Sequence, residues 1–138
     1  MMMMTGCDKW QTERAKHAKR VSDEKREVAL IDGYYSADIL IAERSLLQLM
    51  EHYSNLQPPD GDDPKRWTRA VERTIGLSHT RLYLLYTQLG RTNDATNQRE
   101  LLLKQYPNHD EGETWGAFLK AVEGLDRNRE VKWKQANR

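Results

Sequence analysis

The chain has 138 residues, a length typical of one domain, and its 22 Lys and Arg nearly balance its 21 Asp and Glu. No overall charge therefore marks it as a nucleic-acid binder. Hydrophobic residues make up 38% of the sequence and charged residues 31%, a polar composition that still lies above the disordered range. The single Cys excludes an internal disulfide and a Cys-built zinc site, and no apolar stretch approaches the roughly 20 residues of a membrane span.

That single cysteine follows small residues near the N-terminus. Met4-Thr5-Gly6-Cys7 resembles the end of a bacterial lipoprotein signal peptide, in which a cysteine after small residues becomes acylated. The resemblance implies a leader remnant over residues 1–8, lipid attachment at Cys7, and a location in the bacterial cell envelope facing the periplasm or exterior. The alternative is an untargeted N-terminus with an incidental thiol, which would place the protein in the cytoplasm.

Charged side chains dominate residues 8–27, which contain neither Gly nor Pro. Several opposite charges lie four positions apart, as Lys19 and Asp23 do, and such pairs support a helix. A narrow apolar line accompanies them: Trp10, Ala15, Ala18, Val21 and Val28. We predict a solvated helix that packs properly only near residues 28–31. The alternative, a basic surface for RNA or anionic lipid, is disfavoured by five interleaved acidic residues.

The strongest helical periodicity follows Gly33 and runs to Gln57. Its apolar positions step by four and three: Tyr35, Ile39, Ala42, Leu46, Leu49, Tyr53 and Leu56. This pattern predicts an amphipathic helix buried by packing within the chain. A coiled-coil dimer through the same face is the alternative.

Three further helices are predicted after the break at residues 58–64. Asp63 before Pro64 is typical of a helix start, since the carboxylate caps backbone N–H groups and proline suits the first position. That helix runs to Leu89, with Gly76 either bending it or allowing a close approach. A helix over residues 93–106 follows, and the last one presents Trp115, Phe118, Leu119, Val122 and Leu125.

The remaining residues, 126–138, read as a basic tail that frays. Apart from Val131 and Trp133, this segment is polar. No stretch of the chain alternates like a strand over a useful length, so we predict an all-α protein with a single helical domain over residues 9–125.

One segment resembles a known repeat. Leu82, Tyr86, Gly90, Ala95 and Pro107 are spaced as in a tetratricopeptide (TPR) repeat, a 34-residue helix–turn–helix unit. Gly124 lies one repeat after Gly90, and Gly33 loosely echoes the same turn. The resemblance implies antiparallel helical hairpins stacked as a short TPR-like solenoid. A small bundle of about five helices explains the same pattern.

The resemblance also implies a concave groove on the first helix of the repeat. It would be lined by Leu77, Thr80, Leu84, Thr87 and Gln88. This uncharged surface favours a peptide or helix as its ligand. The alternative is that these residues pack against the chain's own flanking helices. Trp10 and Trp133, which lie in charged terminal segments, are further candidates for contact with a partner.

No motif in the sequence indicates catalysis. There is no glycine-rich phosphate loop, GxSxG or HExxH motif, and the four His are isolated from one another. We therefore expect no enzyme activity, no cofactor, no metal site, no small-molecule substrate and no nucleic acid. The expected function is a protein–protein interaction scaffold, anchored through Cys7 in a cell-envelope complex. The alternatives are a soluble helical adaptor, or a binder of nucleic acid or anionic lipid that uses the charged N-terminal helix and basic tail.

Overall fold

The computed structural model describes residues 6–58 and 61–136, with side chains from residue 9 through residue 134. Six helices account for nearly all of this part of the chain, and no strand occurs in it. They are α1 (Gly6–Tyr34), α2 (Ile39–Asn55), α3 (Pro64–Gln88), α4 (Thr92–Lys104), α5 (Glu111–Asn128) and α6 (Lys132–Ala136). The predicted all-α class is confirmed.

Three of the helices begin after an aspartate whose side chain caps the helix N-terminus. The Asp63 carboxylate accepts a hydrogen bond from the Lys65 backbone N–H at 3.0 Å, and Pro64 occupies the first helical position, as predicted. Asp38 and Asp110 cap α2 and α5 in the same way.

The helices stack in chain order as antiparallel neighbours. Helix α1 packs on α2, α2 on α3, and α3 most extensively on α4, while α5 lies against both α3 and α4. Between α3 and α4 the chain turns at Gly90, whose φ of 74° is one that residues with a Cβ rarely adopt. Ala95 is buried at the start of α4, where the two helices meet.

The repeat pattern would place Gly33 and Gly124 in turns between helices, but both are helical in the structure. Gly33 lies inside α1, which continues to Tyr34, and Gly124 lies inside α5, which continues to Asn128. At Gly33 an added Cβ would lie 2.8 Å from the Ser45 Cβ. Gly33, one residue before the end of α1, therefore allows α1 and α2 to approach closely.

Gly76 has a similar role between α3 and α5. A Cβ at this position would lie 2.7 Å from the ring of Phe118. Of the two roles considered for this glycine, the structure thus shows the close approach.

The core forms where α1, α2, α3 and the C-terminal segment meet. Its buried members are Tyr34, Tyr35, Ala42, Leu46, Leu82, Leu85, Tyr86, Ala95, Val131 and Trp133. Helix α5 ends three residues beyond the predicted domain boundary, and the chain then folds back to bury Val131 and Trp133. The expectation that this segment frays is corrected for its described residues, because Val131 and Trp133 are buried; two apolar residues are too few to form a periodic pattern in the sequence.

Candidate interaction surfaces

The five residues predicted to line a groove do not share one open surface. Thr80 is fully buried, and its hydroxyl donates to the Gly76 carbonyl at 2.9 Å. Leu77 and Leu84 are half-buried, whereas Thr87 and Gln88 are exposed. For Thr80 the structure thus agrees with the alternative interpretation, packing within the chain.

The chain's own C-terminal segment lies beside this face of α3. Leu84 lines a hollow of about 500 Å³ together with Val122 and Asp126 of α5 and Val131 of the C-terminal segment. This hollow next to α3 is thus bordered by α5 and residues 130–134.

Trp133 is not an accessible contact residue in this fold. None of its side chain is exposed, and its ring meets the ring of Tyr34 edge-on with the centroids 6.2 Å apart. The expectation that Trp133 touches a partner is therefore corrected, because the aromatic surface is already covered by this chain.

A buried polar cluster joins α1, α3 and α5. Tyr34 donates its hydroxyl hydrogen to Asp126 Oδ2 at 2.6 Å, and Tyr35 donates to Asp126 Oδ1 at 3.0 Å. Arg81 Nη2 lies 3.4 Å from Asp126 Oδ1, and the guanidinium carbon lies 4.8 Å from the centre of the Tyr34 ring. Both side chains of the Arg81–Asp126 ion pair are at least nine-tenths buried.

The electrostatics of this cluster keep its phenols neutral. Burial, and then the Asp126 carboxylate, raise the pKa of Tyr34 far above its ordinary value of 10.0. The pKa of Tyr35 is also raised, chiefly by burial. A protonated phenol can donate a hydrogen bond but is a poor nucleophile, so the cluster is suited to holding three helices together.

Sequence reasoning missed this cluster for an identifiable reason. Its members are far apart in the chain, and Asp126 fell in the segment taken for a tail. The only sequence signal was Arg81, a charged residue within the largely apolar run of residues 75–86.

The N-terminal half of α1 is the most exposed part of the described chain. Every side chain from Lys9 to Arg20 is exposed, and Trp10 keeps 60% of its surface in solvent. Arg14 lies over the Trp10 ring at 4.6 Å, a cation–π arrangement. The fold of this chain thus leaves most of the Trp10 side chain in solvent.

The other half of α1 is held by α2. Tyr53 donates a hydrogen bond to the Glu27 carboxylate, and Gly33 contacts Ser45. A polar hollow of about 280 Å³ lies between the two helices, lined by Lys19, Asp23, Arg26, Gln48, Glu51, His52, Asn55 and Leu56. Because α2 ends beside Lys19, the residues of α1 before it project beyond the folded body.

The histidines lie apart from one another, and His79 is accounted for within the fold. Its Nδ1 lies 2.7 Å from Gln98 Oε1 across the α3–α4 contact, and burial lowers its pKa below the ordinary 6.5. Within residues 6–58 and 61–136, no group of three or more potential metal ligands occurs. No helix in the same part of the chain is long and apolar enough to cross a membrane.

The predicted lipid attachment site falls outside what the structure describes. Met4 and Thr5 precede the described residues, and the described side chains begin after Cys7. The backbone of residues 6–8 does belong to α1.

Comparisons of this chain with protein-family models, with curated proteins and with solved structures yielded no match.

Proposed function

We propose that this chain is a non-enzymatic interaction subunit whose helix α1 is presented to a protein partner, and that lipid on Cys7 holds it at a bacterial membrane as part of an envelope complex. The α3–α4 hairpin is proposed to be TPR-like. Its support is the left-handed turn at Gly90 and the buried Ala95 where the two helices meet.

One observation carries the interaction proposal: a long helix projects with a large aromatic side chain uncovered. Folding of this chain leaves Trp10 60% exposed, although burying such a ring in an interface is strongly favourable. Trp and Arg are the residue types most enriched among the energetically dominant contacts of protein interfaces, and here Arg14 stacks on Trp10.

The position of residue 7 along α1 supports the anchoring proposal. It lies about twelve residues before Lys19, where α2 ends, which at 1.5 Å per residue is about 18 Å beyond the hairpin. A lipid there would attach at the end of a solvated helix. Two or three acyl chains give stable anchoring, whereas one chain gives only marginal binding.

Intact mass spectrometry of the protein purified from its native membrane tests the proposal. We expect a chain that begins at Cys7 and carries a diacylglyceryl group, and we expect Cys7→Ser to move from the membrane to the soluble fraction. A Gln11→Ser variant, changed at another exposed α1 position, should stay with the membrane. An unmodified thiol would contradict the anchor and leave a soluble helical adaptor as the interpretation.

A binder of RNA or anionic lipid is the remaining alternative, since basic residues outnumber acidic ones between Lys9 and Arg20. Such binding would weaken steeply with salt. We expect no measurable binding of the purified chain to single-stranded RNA at physiological ionic strength, whereas tight, salt-sensitive binding would favour this alternative over a protein partner.

A further inference from the structure

A regular stripe of side chains runs along the face of α1 that points away from α2. Its members are Trp10, Arg14, His17, Val21, Glu24 and Val28, which step by four and three residues. This is the spacing of the a and d positions of a coiled coil, sustained over nearly three heptads. The residues that meet α2, among them Asp23, Glu27 and Gly33, lie on the opposite side of the helix.

The same stripe is covered at one end and bare at the other. Its continuation at Ile31 packs against the core, and Tyr35 is buried with Arg129 of the C-terminal segment 4.3 Å above its ring. Arg129 also forms an ion pair with Asp32 at 2.8 Å. Toward the N-terminus that cover ends, and Val28 and Trp10 are 58% and 60% exposed.

We propose that a second copy of this chain covers the bare part of the stripe, with the two α1 helices antiparallel. A two-fold axis beside position 19 would place Trp10 against Val28 of the second copy. The same axis places Arg14 against Glu24 of the second copy and His17 against its Val21. The two charged residues of the stripe thereby meet opposite charges and the two most exposed apolar ones meet each other, and each contact occurs twice.

Charge complementarity is what singles out a second copy as the occupant. The stripe carries one basic and one acidic residue at equal distances from the axis, so reversal of the helix brings opposite charges together twice. A membrane surface fits less well, because Glu24 lies in the middle of the face that would enter the lipid.

The size of the contact sets its strength. Residues 10–28 span about 28 Å of helix, which corresponds to a small interface. Near the axis, Arg20 would also lie beside Arg20 of the second copy, and the repulsion between these like charges lowers the affinity. We therefore expect reversible association with a dissociation constant on the order of micromolar or weaker, and weakening by salt.

Sedimentation equilibrium of the full chain under reducing conditions, from about 5 to about 500 µM, tests the proposal. We expect the weight-average mass to rise from monomer toward dimer. Arg14→Glu and Glu24→Arg should each raise the dissociation constant by about tenfold or more, and the double variant R14E/E24R should restore association. Lys120→Glu, a charge reversal on an exposed position of α5, is the matched control and should have no effect.

Three outcomes would overturn the proposal. A chain that stays monomeric throughout this range has no such dimer. Association that survives the single reversals, or that the double variant fails to restore, uses another surface. A monomer that instead binds vesicles of anionic lipid through α1 has a membrane as its occupant. The dimer proposal rests on the proposed function only in taking α1 as the interacting element. The association is measured on chain without lipid. An unmodified Cys7 would therefore contradict the lipid anchor and leave the dimer proposal standing.

Discussion

At the scale of single residues, Asp126 does the most to hold separate helices together. Its carboxylate accepts hydrogen bonds from Tyr34 at the end of α1 and from Tyr35, the next residue, and it pairs with Arg81 of α3. A buried ion pair is costly to desolvate, so its value lies in the arrangement that it enforces, and removing one member leaves the other charged and unpaired. The cluster thus ties the end of α5 to the end of α1.

We expect Asp126→Ala to lower the free energy of unfolding by about 3–5 kcal/mol, because it strands the buried Arg81 guanidinium. Arg127→Ala is the control: the adjacent side chain forms an ion pair with Glu123 in which both partners are about 70% exposed, and its loss should cost less than about 0.5 kcal/mol. Urea unfolding followed by circular dichroism measures both values. Equal effects of the two substitutions would refute the structural role of Asp126.

The single residue His79 makes the stability of the folded chain depend on pH. Burial lowers its pKa, so the folded chain binds its proton less readily than the unfolded chain does. The stability associated with neutral His79 is therefore present above pH 6.5, the ordinary pKa, and is lost as the pH falls through the lower pKa of the folded state.

The prediction for His79→Gln is a flatter stability profile on the acid side. Urea midpoints measured between pH 7.5 and about pH 5 should fall less in the variant than in the unsubstituted chain. His109→Gln, changed at an exposed histidine, should keep the original slope. If His79→Gln retains the full acid dependence, the lowered pKa plays no part in it.

At the scale of elements, small residues set how closely the helices pack. Gly33 brings α1 against Ser45 of α2, and Gly76 brings α3 against Phe118 of α5. Gly76 sits in the interior of α3, where glycine costs about 0.5–1 kcal/mol relative to alanine, so close packing compensates for its presence.

Two Gly→Ala substitutions distinguish packing from helix propensity. We expect Gly33→Ala to destabilise the chain by about 1–3 kcal/mol, since the new methyl group meets the Ser45 side chain. Gly124→Ala in α5 points into open space and should stabilise it by up to about 1 kcal/mol. Both are read from urea unfolding curves, and stabilisation by Gly33→Ala would show that α1 and α2 are not in close contact there.

The elements were predictable to the extent that local chemistry defines them. The apolar stripe of α2 and the Asp63-Pro64 start of α3 are short-range signals, and both were predicted, although α2 begins at Ile39 and leaves Tyr35 before it. The role of Gly33 was not, because a glycine at a turn and a glycine at a close approach look the same in one sequence. Which of the two applies depends on Ser45 of another helix.

At the scale of the whole molecule, the chain closes its own core with its last residues. Trp133 and Val131 fill the space beside Tyr34, Leu82 and Leu85. The C-terminal segment also borders the hollow beside Leu84, one of the residues predicted to line a groove. The surface that we propose for a partner lies on α1 instead.

The candidate site was thus predictable only in part. The exposed position of Trp10 could be predicted, because a large aromatic ring in a charged helix has few apolar neighbours close by in the sequence. Trp133 has the same sequence context, yet it is buried, because the fold brings Tyr34 to it across 99 positions. Sequence reasoning placed both in solvent, since long-range packing leaves no local pattern.

Trp133 belongs to the core, whereas Trp10 lies outside it on the helix that we propose binds a partner. The most direct test is the free energy of unfolding of Trp133→Ala and Trp10→Ala, measured by urea denaturation at a low concentration at which the chain is monomeric. We expect Trp133→Ala to lose about 3–5 kcal/mol and Trp10→Ala to change by less than about 0.5 kcal/mol. A small loss at Trp133, or a loss at Trp10 as large as that at Trp133, would contradict this account.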